Sequence, residues 1–359
     1  MAVKALRPWV RAVDGCDASA LLRLHRELWV DHDARGGMPA APEDEVWRAY
    51  GEVLERQLTH RDGRRTPAGA FEGKLAHIVA ELDGRIVGQV EVYLDRFGFH
   101  PRTPHVAELR SLIVTQSARG MGLGAALVRE AAAQSRARAG EVTLVAAEVL
   151  ARNEALSFYD RLGFRTLERL SALSQPPPRP AGFTVRTARQ VDAGELTTLD
   201  HAARVRRHAW GDPRFDAPSG GVGGDLVRLI ADGIALDDAQ RGSEPGRIRE
   251  ELVARDRSGN MLAAAYLAAS PLGAPFAPVI RAEIARLAAN PDDAASLHAV
   301  DAVVAEAHAR SKALGARELL VRTPFLDPLG EHLAARPGVR PFSWILAAPA
   351  STIVRRAKP

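Results

Sequence analysis

Arg119-Gly120-Met121-Gly122-Leu123-Gly124 follows the apolar segment Val106-Ala-Glu-Leu-Arg-Ser-Leu-Ile-Val114 and opens an Ala-rich stretch over residues 125–138. The order is strand, glycine turn, helix. Glycines lack Cβ atoms, so the N–H groups of such a turn can close on an anion at the positive end of the helix. The run therefore predicts a phosphate cradle. Its distances to other motifs decide which phosphate-bearing ligand it serves.

Downstream, the spacing predicts a helix over 122–138, a stop at Gly140 and a strand over 142–149. The next block is Asn153-Glu-Ala-Leu-Ser-Phe158-Tyr159-Asp-Arg-Leu-Gly163-Phe164. It reads as a short helix capped by Asn153 and ended by Gly163. Phe158 and Leu162, four residues apart, share a face that can pack on a sheet. A dinucleotide-binding reading of Gly120-x-Gly122-x-Gly124 is disfavoured, because the third glycine comes one residue too early.

Taken together, these motifs resemble the GNAT N-acetyltransferase superfamily. The pyrophosphate motif Arg/Gln-x-x-Gly-x-Gly/Ala is met by Arg119, Gly122 and Gly124. A second motif is met at Asn153, Phe158, Tyr159, Gly163 and Phe164, with Ala155 one place early. The resemblance implies acetyl-CoA as cosubstrate, no metal, and a small-molecule or peptide amine as acceptor. It also implies that the N–H groups from Arg119 through Gly120, Met121, Gly122, Leu123 and Gly124 to Ala125 bind the pyrophosphate. The backbone of Leu112, Ile113 and Val114 would pair with the pantetheine arm where two central strands splay. Asn153 would bond the arm near the thiol beside Phe158, and Tyr159 would protonate the departing thiolate.

Acetyl transfer needs a neutral amine, and Glu108, eleven residues before Arg119, stands where the family places its base. Partial burial there would tune its basicity. Glu91 is the reserve, with His77 and His105 as further candidates. The acceptor pocket is expected within residues 29–65, which hold Trp29, Asp31, His32, Asp33, Glu43, Asp44, Glu45, Trp47 and Tyr50. That acidic, aromatic stretch would suit a cationic amine. Its plainer reading is an amphipathic helix with carboxylates at its N-terminus.

Length points to two domains, since 359 residues exceed one ordinary core. Gln175-Pro-Pro-Pro-Arg-Pro180 is the linker, dividing the chain into 1–174, 175–181 and 182–359. The halves repeat at pattern level. Ala107-Glu108-Leu109 is echoed by Ala282-Glu283-Ile284 at an offset of 175 positions, and Gly140 by Gly315. A strong Asp83-Gly84 hairpin signal in the first half matches a Ser258-Gly259-Asn260 turn in the second. The fold expectation is α/β (α+β): two tandem GNAT-like domains, each a mixed, mostly antiparallel, splayed sheet flanked by helices.

In the second half the glycine turn becomes Asn290-Pro-Asp-Asp, whose Asp292 and Asp293 would repel a pyrophosphate. That copy is expected to be degenerate. The glycine-rich 219–224 stretch has no strand before it and no Lys after it, so it reads as a loop. His60-Arg61-Asp62 lacks the further Asn of a kinase catalytic loop.

A net charge of +4, without basic blocks, argues against nucleic acid. Absence of an apolar run near 20 residues argues against membrane insertion. A single Cys, Cys16, excludes an internal disulfide. The expectation is a cytoplasmic enzyme, compatible with a homodimer. Its alternative is a non-catalytic acyl-CoA-binding or interaction protein.

Overall fold

A computed structural model describes residues 9–59, 64–65, 71–96, 105–139, 142–215, 224–243 and 246–355. Gly140, residues 60–62 and residues 219–223 lie outside them.

In the first half the elements run β1 (Trp9–Ala12), α1 (Ala18–Ala34), α2 (Asp44–Thr59), β2 (Arg64–Arg65), β3 (Phe71–Leu82), β4 (Arg85–Arg96), β5 (His105–Val114), α3 (Leu123–Ala139), β6 (Val142–Leu150), α4 (Leu156–Arg161) and β7 (Arg165–Leu173). The second half runs β8 (Thr184–Thr187), α5 (Ala193–Ala209), α6 (Gly224–Gln240), β9 (Ile248–Arg255), β10 (Met261–Pro271), β11 (Ile280–Ala289), α7 (Ala294–Ala313), β12 (Leu319–Pro324), α8 (Pro328–Ala334), β13 (Val339–Pro349) and α9 (Ala350–Arg355).

Local chemistry accounts for the repeat. Asp83 and Gly84 both take positive φ (52° and 73°), as a two-residue hairpin turn requires, and Leu82 pairs with Arg85 across it. Each half opens with an arginine gripping an acid at the start of a helix. Arg11 donates to Asp17 at 2.7 and 2.9 Å, and Arg186 to Asp192 at 2.7 and 2.8 Å. Those acids also accept from the N–H of Asp14 and of Arg189, both at 2.7 Å. The helices that follow, α1 and α5, have 17 residues each and start 175 positions apart. Leu21, Leu24 and Leu28 of α1 sit at helical spacing and are buried.

The two copies share one sheet, in the order β1-β3-β4-β5-β6-β13-β7-β12-β11-β10-β9-β8. Strand β13, from the end of the chain, lies antiparallel between β6 and β7. Strand β7, from the first half, lies between β13 and β12. Each copy thus lends a strand to the other. Leu346, Ala348, Ala350 and Ile353 complete the core formed by β3–β6 and α3. Leu173 in turn completes the core under α7. The proline-rich linker at 175–180 has neither helix nor strand, yet the sheet runs past it without a break. No helix among the described residues is long and apolar enough to cross a membrane.

Because Ile353 is 1% exposed in the first copy's core, Ile353→Ala should cost about 2–5 kcal/mol in urea unfolding. A loss under about 0.5 kcal/mol, the range of surface substitutions, would contradict α9 as part of that core.

Candidate active site

Strands β5 and β6 pair in parallel only as far as Leu109↔Ala147. Beyond that point they separate, leaving the β6-facing backbone of Leu112, Ile113 and Val114 without a strand partner there. A bulge makes the separation sharper. Glu91 pairs with Arg110 but Gln89 with Ile113, so β5 carries one extra residue. Ser111 takes φ +51° to absorb it. For a non-glycine residue this is a strained conformation, and the Ser111 hydroxyl offsets it by donating to Glu91 Oε2 at 2.8 Å. Gly88 permits the close approach of β4, since a Cβ there would lie 2.9 Å from the Ile113 carbonyl.

The glycine turn follows. Gly120 and Gly122 take φ +81° and +77°. The Gly122 carbonyl accepts the first helical bond, from the Ala126 N–H at 3.0 Å. Gly124 has a different reason to be glycine: a Cβ there would meet the Phe158 ring at 3.3 Å. Arg119 is exposed and its Nε donates to the Val114 carbonyl at 3.1 Å. At the matching place in the second copy, Asp293 accepts from the N–H groups of Ala295 and Ser296. A carboxylate of the chain itself therefore fills the anion position at α7, while the start of α3 is open.

These parts line one cleft of about 1850 Å³, bounded by both copies. Residues 39–164 match the acetyltransferase (GNAT) family model. That stretch of the first copy is therefore a GNAT-family domain. No curated protein matches it in sequence. Among solved structures it is similar to a GCN5-related N-acetyltransferase from Sphaerobacter thermophilus, with 17% identity, 96% of each chain covered and a TM-score of 0.53. It is also similar to the glucosamine N-acetyltransferase region of a fungal multi-domain β-N-acetylglucosaminidase, with 15% identity and a TM-score of 0.52. That match covers 97% of this chain and 38% of the other. A tandem GNAT protein from the clavulanic acid biosynthesis pathway aligns at 16% identity and a TM-score of 0.49, covering 96% of this chain and 99% of that one.

Within this GNAT cleft the expected residues have different surroundings. Tyr159 packs edge-on against Phe158 and Phe164, and burial raises its hydroxyl above the ordinary range. Asn153 is not the helix cap, which is Ala155; its Oδ1 accepts from the Ala155 N–H at 2.9 Å. Asn153 makes a local turn ahead of the helix because two further turn residues intervene, and it lines the cleft. Glu108 lines the cleft but is ion-paired to Arg110 at 2.6 Å. Arg110 in turn lies 4.5 Å from the Tyr93 ring centroid. The carboxylate is thus held by its neighbour on the strand rather than isolated from water.

Glu91 is buried and touches Lys74, Ser111 and, at 4.0 Å, His77. Burial alone would raise its pKa, but the Lys74 ammonium and the two histidines hold it down at about 2. It is an anchor for the bulge and a poor proton acceptor. His77 bonds Gln89 at 3.2 Å, and burial lowers its pKa. The side chain of His105 lies outside the described residues.

On the acceptor side Trp29, Asp31, His32 and Tyr50 line the cleft, whereas Asp33, Glu43, Asp44, Glu45 and Trp47 do not. Asp44 and Glu45 occupy the first turn of α2, and Trp47 is buried with its Nε1 donating to the Ala41 carbonyl at 2.8 Å. Here the plainer reading applies. The sequence reading missed His25, whose Nδ1 lies 2.6 Å from the Tyr50 hydroxyl. Its signal was a histidine on the leucine face of α1. It also missed the second copy's share: Phe276 packs edge-on against Trp29 at 4.9 Å, and Ala41 donates to the Pro275 carbonyl.

Burial lowers the pKa of His25 from 6.5 to about 4. Below pH 6.5 the unfolded chain binds a proton that the folded one refuses, so stability present above that pH falls as pH drops toward 4. His25 alone accounts for roughly 3 kcal/mol. Glu91, depressed from 4.5 to about 2, keeps its contribution until pH falls below 4.5. Urea midpoints should therefore fall between about pH 7 and 5, and less steeply in His25→Gln. An equal slope in the variant would remove His25 as the source.

Proposed function

We propose that the first copy binds acetyl-CoA and transfers its acetyl group to an amine by direct attack. The observation that carries this reading is the open start of α3 beside the β5–β6 gap, with Tyr159 on the same cleft. The diphosphate would take the N–H groups from Arg119 to Ala125, which the helix end polarises. The pantetheine amides would take the unpaired backbone of Leu112, Ile113 and Val114. The Asn153 amide NH2 would donate to the arm, and Phe158 would flank it.

In the reaction the amine nitrogen bonds to the acetyl carbon, giving a tetrahedral intermediate, and the C–S bond then breaks. The leaving thiolate takes the Tyr159 proton; the raised pKa keeps that proton in place until it is needed. The amine's proton passes to Glu108 directly or through water. That carboxylate is engaged by Arg110 at 2.6 Å, so it must turn from this partner to meet the amine. The same ion pair is what favours the second reading, an acyl-CoA-binding protein without turnover.

The second copy would not bind CoA in this way, because Asp293 occupies the anion position at α7.

Gly122→Ala forces a Cβ into left-handed backbone and should weaken acetyl-CoA binding roughly tenfold. Tyr159→Phe keeps the packing and should cut kcat about 100-fold with acetyl-CoA affinity unchanged. Titration calorimetry and CoA release from a pooled amine panel measure both. Unchanged kcat in Tyr159→Phe would remove it as the acid. Tight acetyl-CoA binding with no release on any amine would select the non-catalytic reading.

A further inference from the structure

The repeat supplies an internal comparison across the cleft. Helices α1 and α5 correspond residue for residue at the offset of 175. Glu108 pairs with Ala146 as Glu283 pairs with Leu320, which sets Glu148 against Arg322. The pairs flanking the two bulges set Ser111 against Arg286. On this correspondence the first copy presents Trp29, His32, Ser111 and Glu148 to the cleft. The second presents Arg204, Arg207, Arg286 and Arg322 at the same four places. One copy has an indole, an imidazole, a hydroxyl and a carboxylate; the other has four guanidiniums.

A fifth, Arg281, reaches Glu148 at 3.8 Å, where the two ends of the cleft meet. The contacts across the seam are inverted as well. Glu148 accepts from the Ser343 hydroxyl at 2.7 Å, while Arg322 donates to Glu168, the counterpart of Ser343, at 3.3 Å.

These arginines are held by carboxylates, of which Asp200 and Glu168 also border the cleft. Asp200 pairs with Arg204 at 2.6 Å and with Arg286 at 3.5 Å. Glu168 pairs with Arg207 at 3.1 Å, and Glu283 with Arg322 at 2.7 Å and Arg281 at 2.9 Å. Glu251 also grips Arg286. The carboxylate side chains are the more buried partners: Glu168 is 2% exposed against 15% for Arg207, and Glu283 12% against 28% for Arg281. A guanidinium has five N–H donors in a rigid fork, more than one or two carboxylate contacts use, so donors are left for a ligand. The wall is charge-balanced, so it can stand without a ligand. A planar oxyanion can still add paired, charge-assisted bonds to it.

We propose that the second copy is the anion-recognition half of the acceptor site, so that the acceptor is an amine carrying a carboxylate or a phosphate. Its nitrogen lies toward Glu148 and Glu108, and its oxyanion against Arg204, Arg207, Arg281 and Arg322. This rests on the acetyl-transfer reading for the amine, but the anion site itself does not.

The test has two arms. In the first, CoA release is measured on matched acceptors: free amino acids against their amides, and aminoalkyl phosphates against amino alcohols. The anionic member of one pair should have a kcat/KM higher by about tenfold or more. Arg281→Gln and Arg204→Gln should erase that preference by raising the KM of the anionic member more than that of the neutral one. The pair that responds identifies carboxylate or phosphate. Equal rates within both pairs, or a preference that survives both variants, would overturn the proposal.

In the second arm, thermal shifts are read with citrate and with inorganic phosphate, and no acetyl-CoA. One of them should raise Tm in the wild type and in Arg119→Gln but not in Arg281→Gln. No shift in the wild type, or an equal one in Arg281→Gln, would overturn the proposal. If no amine reacts yet this second pattern appears, acetyl transfer fails and the anion site stands. Arg281 and Arg204 are chosen because each leaves its buried carboxylate a second arginine, Arg322 for Glu283 and Arg286 for Asp200.

Discussion

Backbone hydrogen bonds along the β6–β13–β7–β12 seam are what the rest of the molecule depends on. Strand β6 has to leave β5 beyond Leu109 for the cleft to exist, and a strand peeled from its neighbour exposes unpaired backbone. Its other edge is secured by β13, through seven paired positions from Ser343 to Pro349. Strand β7 secures β12 in the same way. Since the pairing crosses between copies, neither half can keep its own gap open without the other. The second copy is a structural necessity whatever it binds.

Within that frame the first copy concentrates strain and charge at one point. Ser111 sits in left-handed backbone, Gly120 and Gly122 follow, and the first residues of α3 line the cleft. Glu91 anchors the bulge, and Lys74 and the two histidines keep that anchor ionised. The second copy spends its equivalents differently. Asp293 closes the helix end, and Arg286 fills the place of Ser111, clasped by Glu251 and Asp200. One repeated plan thus carries a glycine turn in one half and a cluster of guanidiniums in the other.

Much of this was legible in the residues. The Asp83-Gly84 hairpin, the glycine turn and the offset of 175 are local signals, and local turn chemistry survives folding. The strand exchange was not legible. The alternation that makes Arg165–Leu173 a strand is the same whether it pairs within its copy or across it, because periodicity sets the face and not the neighbour. A second constraint on Gly124 was hidden for a related reason: the Phe158 ring that a Cβ there would meet comes from 34 positions away. Glu108 lines the cleft, and its ion pair with Arg110 is the salt bridge that alternation on one strand face allows. The arginine wall stayed hidden because its members are scattered from Arg204 to Arg322. Only the fold gathers them.

The central claim is that the chain has one working acyl-CoA site, placed at α3 and denied to α7 by Asp293. Isothermal titration of the purified full-length chain with acetyl-CoA tests it directly. The account predicts one equivalent bound per chain, lost in a variant carrying both Gly120→Val and Gly122→Val. Two equivalents, or one equivalent undiminished in that variant, would contradict it.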